Sequence, residues 1–280
     1  MSDTRPEWAP AAINLDQPSS ARVWDYFLGG SHNFAVDREV AEAAIAFKPD
    51  MPELARQVRM FLHRAVRTAA AAGVDQYLDI GAGVPTMGPV HEIARERNPH
   101  ARVVYVDHDP VAVAHGEAIL AEDPDAAFIQ ADARSPRAIL ADSRVRALLD
   151  FDRPVAVLLC SVLHFVSDAD DPAAVVATLR DAIAPGSFLI MQHASHDDQP
   201  SETIAMLEMW NAKSPEPMYW RTAAQIEALF DGFTLLKPGV VPLPLWRPEP
   251  EEAERAAKNP QRYASYAGVA VKPHVTGTAG

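Results

Sequence analysis

Three carboxylates in this chain stand at the ends of apolar runs: Asp79 in Tyr77-Leu78-Asp79-Ile80, Asp107 after Val103 to Val106, and Asp132 after Phe128 to Ala131. The first is followed at once by Gly81-Ala82-Gly83. An apolar run closing on an acid and then Gly-x-Gly reads as a buried parallel strand that empties into a loop whose backbone approaches a ligand closely. Open α/β sheets bind ligands at the carboxyl ends of their strands, which is where all three acids fall. Asp107 suits a ribose, because a carboxylate accepts from both hydroxyls in charge-assisted hydrogen bonds of about 1.5–3 kcal/mol each. Asp132 could accept from the exocyclic amino group of adenine. The plainer alternatives are a glycine turn with nothing bound and an Asp107 that caps a turn. The helix start beyond Gly83 offers unpaired N–H groups to a carboxylate or phosphate. A dinucleotide fingerprint would need a third glycine at position 86, where Thr86 stands, and this argues against NAD.

Other residues invite chemistry less directly. Between Arg22 and Glu39 the chain is dense in aromatic and hydrogen-bonding groups, with Tyr26, Gly29, Gly30, His32 and Asn33 close together. It reads either as a helix-loop-helix packing its aromatics on the core or as a lid whose paired glycines approach a ligand. Cys160, Ser161 and His164 follow another apolar run, Pro154 to Leu159, and so face the middle of a cleft. His164 is a candidate base, although its Leu-His-Phe setting also suits a buried structural histidine. Cys160 has no evident activator and reads as a small buried hydrophobe rather than a nucleophile. His193, His196 and Asp197 suggest a metal, yet they lack a second ligand cluster elsewhere, so a substrate contact by His193 or His196 is the better expectation.

The elements that position these groups follow from period and punctuation. Ser19 or Ser20 caps a helix to Leu28, stopped by Gly29-Gly30; a second helix covers Asp37 to Phe47; a third runs from Pro52 to Ala72. In the third helix Leu54, Val58, Phe61, Leu62, Ala65, Val66 and Ala69 form the apolar stripe, and Arg56, Arg59, Arg64 and Arg67 read as a solvated basic face. Strands then alternate with helices through Ser187 to His193. A helix from Thr203 to Ala212 carries Met206, Leu207, Met209 and Trp210, which are core or the wall of an apolar pocket. Phe233 to Leu236 and Ala264 to Val271 are the last two strands, with the acidic, proline-rich stretch from Val241 to Asn259 between them as a surface excursion. The expected organisation is a tail over 1–18, a helical extension or lid over 19–73, a main domain over 74–272 and a tail over 273–280.

With 280 residues and 48% hydrophobic content the chain can bury one sizeable core. A formal charge of −13 would repel a phosphate backbone, so nucleic acid is not an expected partner. Cys160 is the single cysteine, which rules out an intrachain disulfide and suits a reducing, cytoplasmic setting. Val155 to Val166, the longest apolar run, is shorter than the roughly 18 residues a bilayer span needs, so no membrane association is expected.

Taken together, Arg22 to Glu39, Leu78 to Thr86, Val106-Asp107-His108-Asp109-Pro110, Asp132-Ala133-Arg134 and Val162 to Val166 resemble a mostly actinobacterial family of class I S-adenosylmethionine-dependent methyltransferases, long carried as a domain of unknown function. The resemblance extends from Ser20 to Val271. It implies a Rossmann-like α/β fold with a seven-stranded sheet of order 3-2-1-4-5-7-6, the last strand antiparallel, preceded by an N-terminal helical lid. S-adenosylmethionine is the implied cofactor, with S-adenosylhomocysteine as product. Its implied contacts are Tyr26, Gly29, Gly30 and Asn33 from a lid over the methionine end; Asp79, Gly81, Ala82 and Gly83; Asp107 and His108; Asp132 and Ala133; and Cys160 and Ser161. His164 and His193 are the candidate catalytic groups, no metal is expected, and the acceptor is expected to be a small molecule. The alternatives are a cofactor-binding protein without turnover, acting as sensor or partner subunit, and an NAD-dependent oxidoreductase.

Overall fold

The computed structural model describes residues 16–85, 88–212 and 216–274, apart from the side chains of Met206 and Trp210. Three helices come first: α1 (Ser20–Phe27), α2 (Ala35–Phe47) and α3 (Met51–Ala71). Alternation follows, with β1 (Gln76–Ile80), α4 (Val90–Arg95), β2 (Arg102–Asp107), α5 (Pro110–Ile119), β3 (Ala126–Gln130), α6 (Pro136–Ala141), α7 (Ser143–Leu148), β4 (Ala156–Cys160), α8 (Pro172–Ala182) and β5 (Phe188–Ala194). The chain then runs through α9 (Ser201–Asn211), α10 (Ala223–Ala228), β6 (Thr234–Leu235), β7 (Val241–Pro242), α11 (Pro250–Lys258) and β8 (Ser265–Val271).

β1 lies at the centre of the sheet because both of its faces are apolar and covered; all five of its residues are buried. The strand order is β3-β2-β1-β4-β5-β8-β6. The first five strands pair in parallel, and β8 inserts antiparallel between β5 and β6. The expected order is therefore present with one addition, an eighth strand: Val241–Pro242 pairs with Ala267 and Tyr266 of β8.

Strand periodicity divides the core in two. On one face Tyr77, Tyr105, Phe128 and Cys160 pack with Phe61, Leu62 and Val66 of α3; on the other Leu78, Ile80, Val104 and Ile129 pack with Leu163 and with α8. Asp79, two residues from Tyr77, therefore projects to the α3 side.

Three expectations fail here. The stretch after Val241 is no surface excursion at its start: Leu243 and Trp246 are fully buried, and the Trp246 indole packs edge-on against Phe61 with ring centroids 5.4 Å apart. Only α11, which has no buried residue, lies outside. The basic face of α3 is likewise not uniformly solvated. Arg56 and Arg67 are exposed and pair with Glu53 and Glu96, but Arg64 is buried and donates from Nε to the Trp246 carbonyl at 3.0 Å, and Arg59 turns inward. The pocket wall expected on α9 is also absent at one position, since Met209 is 61% exposed; Leu207 is buried, and the side chains of Met206 and Trp210 lie outside the described residues. No described helix is long and apolar enough to cross a membrane.

Candidate active site

The glycine turn after β1 forms one wall of a cleft at the carboxyl edge of the sheet. Gly81 and Gly83 have φ of +74° and +63°, a region in which a Cβ is strained. Their surroundings differ. A Cβ at Gly81 would stand 2.6 Å from the Val162 side chain, whereas one at Gly83 would meet nothing within 4 Å. Gly81 is thus required by packing, and Gly83 borders open space. The Gly81 and Ala82 amides donate to the Val106 carbonyl, and the Gly83 amide donates to Asp107 Oδ2 at 2.8 Å.

Asp107 holds two loops at once, because its other oxygen accepts from the Asp109 amide at 2.9 Å. Burial pushes its carboxyl up, against the pull of those amides and of the His108 charge. Asp109 caps α5 through the Val111 amide at 2.7 Å, with Pro110 as the first helical residue. Asp79 is 3% exposed, and its carboxylate accepts no hydrogen bond among the described residues. Desolvation raises its pKa to about 7; the Arg59 charge opposes this and Asp107 adds to it.

The N-terminal helices grip the outer side of β2. Arg22 is buried between Asp37, 2.8 Å from Nε, and Asp109, 3.5 Å from a terminal nitrogen, while Ser19 donates through its hydroxyl to Asp109 and through its amide to Asp37. Asp25 shapes the turn that follows by accepting from the His32 amide at 2.7 Å and from Asn33 Nδ2 at 2.9 Å. A Cβ on Gly30 would run into that carboxylate at 2.0 Å. Phe34 packs on Val111, and the His32 ring lies 4.1 Å from that of His115 on α5. Tyr26 donates to Glu42 at 3.2 Å on the α1–α2 surface. The turn from Gly29 to Phe34 therefore sits against α5 through His32 and Phe34, Tyr26 stays on the α1–α2 surface, and Arg59 belongs to α3, the helix that packs over β4 and β5.

At the ends of β2 and β3, His108 lies 3.5 Å from Asp107 and 2.7 Å from Glu216, whose second oxygen accepts from the Ser20 amide at 3.1 Å. The Glu216 hydrogen bond, opposed by desolvation, raises the His108 pKa to about 9. Asp132 is engaged on both oxygens by Arg134, which holds its carboxyl below the usual range, and Ala133 packs on the second core.

Past β4, Cys160 is buried and its thiol is pushed up by desolvation, so no thiolate forms near neutrality. Ser161 has φ +61° and donates to Gln192, which in turn donates to Ser265. His193 is fully buried: Nδ1 donates to the Ala194 carbonyl at 2.7 Å, and Nε2 accepts from Arg221 at 2.9 Å. Arg221 also donates to Leu163, Val166 and Asp168. Burial, together with the Arg221 charge, lowers the His193 pKa to about 4, so the ring is neutral with both nitrogens in use. His164 is 7% exposed, burial drives its pKa well down, and its Nδ1 has no hydrogen-bond partner. Among the described residues no cluster of histidine, cysteine and carboxylate side chains could hold a metal ion.

Sequence reasoning missed Arg59, Glu216, Arg221 and Asp25. For Arg59 a signal exists, because it stands four residues after Ala55 and three before Leu62, on the stripe that α3 buries. A shallow depression lined by Arg102, Arg146 and Phe151 lies at the opposite edge of the strands and takes no part in this arrangement.

The residues present fit a nucleoside joined to an amino acid. Gly83 borders open space, Asp107 is a buried acid at the end of β2, and neither buried Asp79 near the end of β1 nor Arg59 on α3 has a hydrogen-bond partner among the described residues. Comparison with known proteins agrees. A family model described as S-adenosyl methyltransferase matches residues 6–273. A crystal structure of a candidate methyltransferase from Thermobifida fusca is 40% identical, covers 96% of this chain and all of its own (100%), and superposes with a TM-score of 0.88. A protein of the DUF574 family from Streptomyces avermitilis is 35% identical with a TM-score of 0.87, covering 92% of this chain and 99% of its own. A candidate sarcosine dimethylglycine methyltransferase from Galdieria sulphuraria, at 12% identity and a TM-score of 0.50, shares the fold over 80% of this chain and 88% of its own. Among curated proteins none matches.

Proposed function

Since the chain belongs to the S-adenosyl methyltransferase family, we propose that the acceptor it methylates is a small molecule enclosed at the carboxyl edge of the sheet. The observation that carries this reading is the path of the α9–α10 connection. Glu216 reaches His108 beyond β2 and Ser20 at the start of α1, and Tyr219 donates through its amide to the His164 carbonyl beyond β4. The described part of the connection, residues 216–222, thus runs along the edge between the ends of β2 and β4 and lies over the cleft. A macromolecular acceptor would have to displace it, and a formal charge of −13 further disfavours nucleic acid.

S-adenosylmethionine supplies an electrophilic methyl group on a sulfonium. In the proposed arrangement Gly81, Ala82 and Gly83 give the cofactor close backbone approach, and Asp107 and His108 hold its ribose. Asp107 retains lone pairs for this beyond the two that accept from Gly83 and Asp109. Asp132 and Ala133 flank the adenine, with Cys160 and Ser161 beneath the reacting end. Methyl transfer gains mostly from holding donor and acceptor in line and excluding water, tasks for which a closed, rigid cleft suffices. His193 can take up a proton only by giving up its Arg221 contact, so it serves this chain by fixing Arg221 and the loop after β4. The acceptors that suit such a cleft are those whose nucleophilic atom needs no general base, such as a thiolate, a phenolate, a carboxylate or an unprotonated amine.

The test is label transfer from methyl-labelled S-adenosylmethionine into a cell extract divided by size. Label in the low-mass fraction, increasing with enzyme and lost with Asp107→Ala, is expected. Label confined to protein or RNA would refute the small-molecule reading.

A further inference from the structure

Arg59 is half-buried, with its Nε shut off from solvent. It occupies the inward stripe of α3, and that Nε has no hydrogen-bond partner. The buried arginines each have an acceptor: Arg22 has Asp37 and Asp109, Arg221 has carbonyls and Asp168, and Arg64 has the Trp246 carbonyl at Nε, although its Nη2 also lacks a partner. Arg59 makes no hydrogen bond or ion pair among the described residues. A guanidinium turned inward without an acceptor is costly, and native chains retain such a group where something supplies the missing counter-charge.

Its position says what that is. Arg59 stands on α3, which packs over β4 and β5 and shares its core with Tyr105 and Cys160, and its charge reaches Asp79, Tyr105 and Cys160. This is the side of Asp79, next to the turn at Gly81 and Gly83. Asp79 is itself a buried acid that accepts no hydrogen bond among the described residues. A buried acid and an inward-facing base that influence each other and do not pair leave two opposite charges unmatched at one end of the cleft. An α-amino acid zwitterion matches both, ammonium toward the acid and carboxylate toward the guanidinium.

We infer that Arg59 binds the α-carboxylate of the methionine moiety of S-adenosylmethionine and so selects the intact cofactor over its nucleoside fragments. This rests on the assignment of the cleft to that cofactor. Arg59 then makes its ion pair only when the cleft is filled, and the free protein carries the unpaired charge as a standing destabilisation.

The experiment is calorimetric titration of S-adenosylhomocysteine and of 5′-methylthioadenosine into the wild type, Arg59→Gln and Arg59→Met. Methylthioadenosine retains the nucleoside and thioether and lacks the amino acid. Hydrogen bonds to a charged group are worth about one to two powers of ten in affinity. Both variants should therefore bind S-adenosylhomocysteine roughly 10–100-fold more weakly while binding methylthioadenosine within about threefold of wild type. Arg59→Met, which replaces the unpaired charge by an apolar chain, should also unfold at a higher temperature than wild type without ligand. An unchanged preference for S-adenosylhomocysteine in the variants would overturn the inference. So would equal losses for both ligands, which mark a packing role. Wild type that binds neither ligand would instead defeat the cofactor assignment itself, a result separable from the other two because it needs no variant.

Discussion

Adding one methyl group at Gly81 or at Gly83 separates packing from ligand space. At Gly81 alanine meets two costs. A positive φ of 74° costs an L-residue roughly 1–2 kcal/mol. A Cβ only 2.6 Å from Val162 adds an overpacking penalty of about 1–3 kcal/mol. The sum, about 2–5 kcal/mol, corresponds to a fall of roughly 5–15 °C in Tm for a domain of this size. Gly83→Ala meets only the backbone cost of roughly 1–2 kcal/mol, since nothing lies within 4 Å of its Cβ. The decisive variant is Val162→Gly, which removes Cβ and both methyls and so empties the space that the new group at position 81 would enter. Measured by urea denaturation in that background, the Gly81→Ala penalty should shrink to the backbone cost alone, a coupling of about 1–3 kcal/mol. An identical penalty in both backgrounds, or equal penalties at positions 81 and 83, would show that the turn is not seated on Val162. For the cofactor the ranking reverses: Gly83→Ala, the milder change in stability, should lose more S-adenosylhomocysteine affinity than its stability change accounts for.

Three further outcomes follow from groups already described. The Asp79 carboxyl is raised from 3.8 to about 7 on folding, so its contribution to stability is complete below about pH 4 and is lost as pH rises through 7; Asp79→Asn should lack that loss. The difference between variant and wild type should then grow between pH 5 and 8 by up to about 3 kcal/mol, and a difference independent of pH would refute the burial argument. His108, raised to about 9 by Glu216, contributes stability that is complete below pH 6.5 and lost as pH rises through 9; Glu216→Gln should return the His108 titration toward 6.5 by NMR, with a stability cost below about 1 kcal/mol because the pair is solvent-screened. Trp246→Ala should cost about 3–5 kcal/mol in urea denaturation, since the indole is fully buried against Phe61, and a loss under about 1 kcal/mol would mean that the stretch does not cover the core.

The parallel half of the sheet was legible because its signals are local. Apolar runs, acids at their ends and the glycine turn lie within a few residues of one another, and the structure places Asp79 and Asp107 on adjacent strands, 1 and 2, as that pattern requires. What could not be read depends on distant partners. Arg64 looks solvated in a helical projection because the carbonyl that receives it belongs to Trp246, 182 residues away. Glu216 sits in a proline-flanked loop whose only visible property is polarity, and its two contacts lie 108 and 196 residues back in the chain. The strand at Val241–Pro242 is too short for period to reveal and ends in a proline, which a strand admits at an edge. His193 illustrates the opposite error. Its place after a strand suggests chemistry, and only the neighbouring Arg221 shows both of its nitrogens already committed.

The insertion of β8 between β5 and β6 also sets a temporal order on the molecule. During synthesis β1 to β5 all emerge before the strand that completes their edge, and β6 emerges before β8, with which it pairs. Until residues 265–271 arrive, β5 presents a bare row of amides and carbonyls, an open template for any other nascent chain nearby. On dilution from denaturant the pairing of β5 with β8 closes a far longer loop than that of β1 with β2. In pulse-labelled refolding the amides of β5 that face β8 should gain protection together with those of β8, after β1 and β2, and earlier protection of that edge would contradict the order.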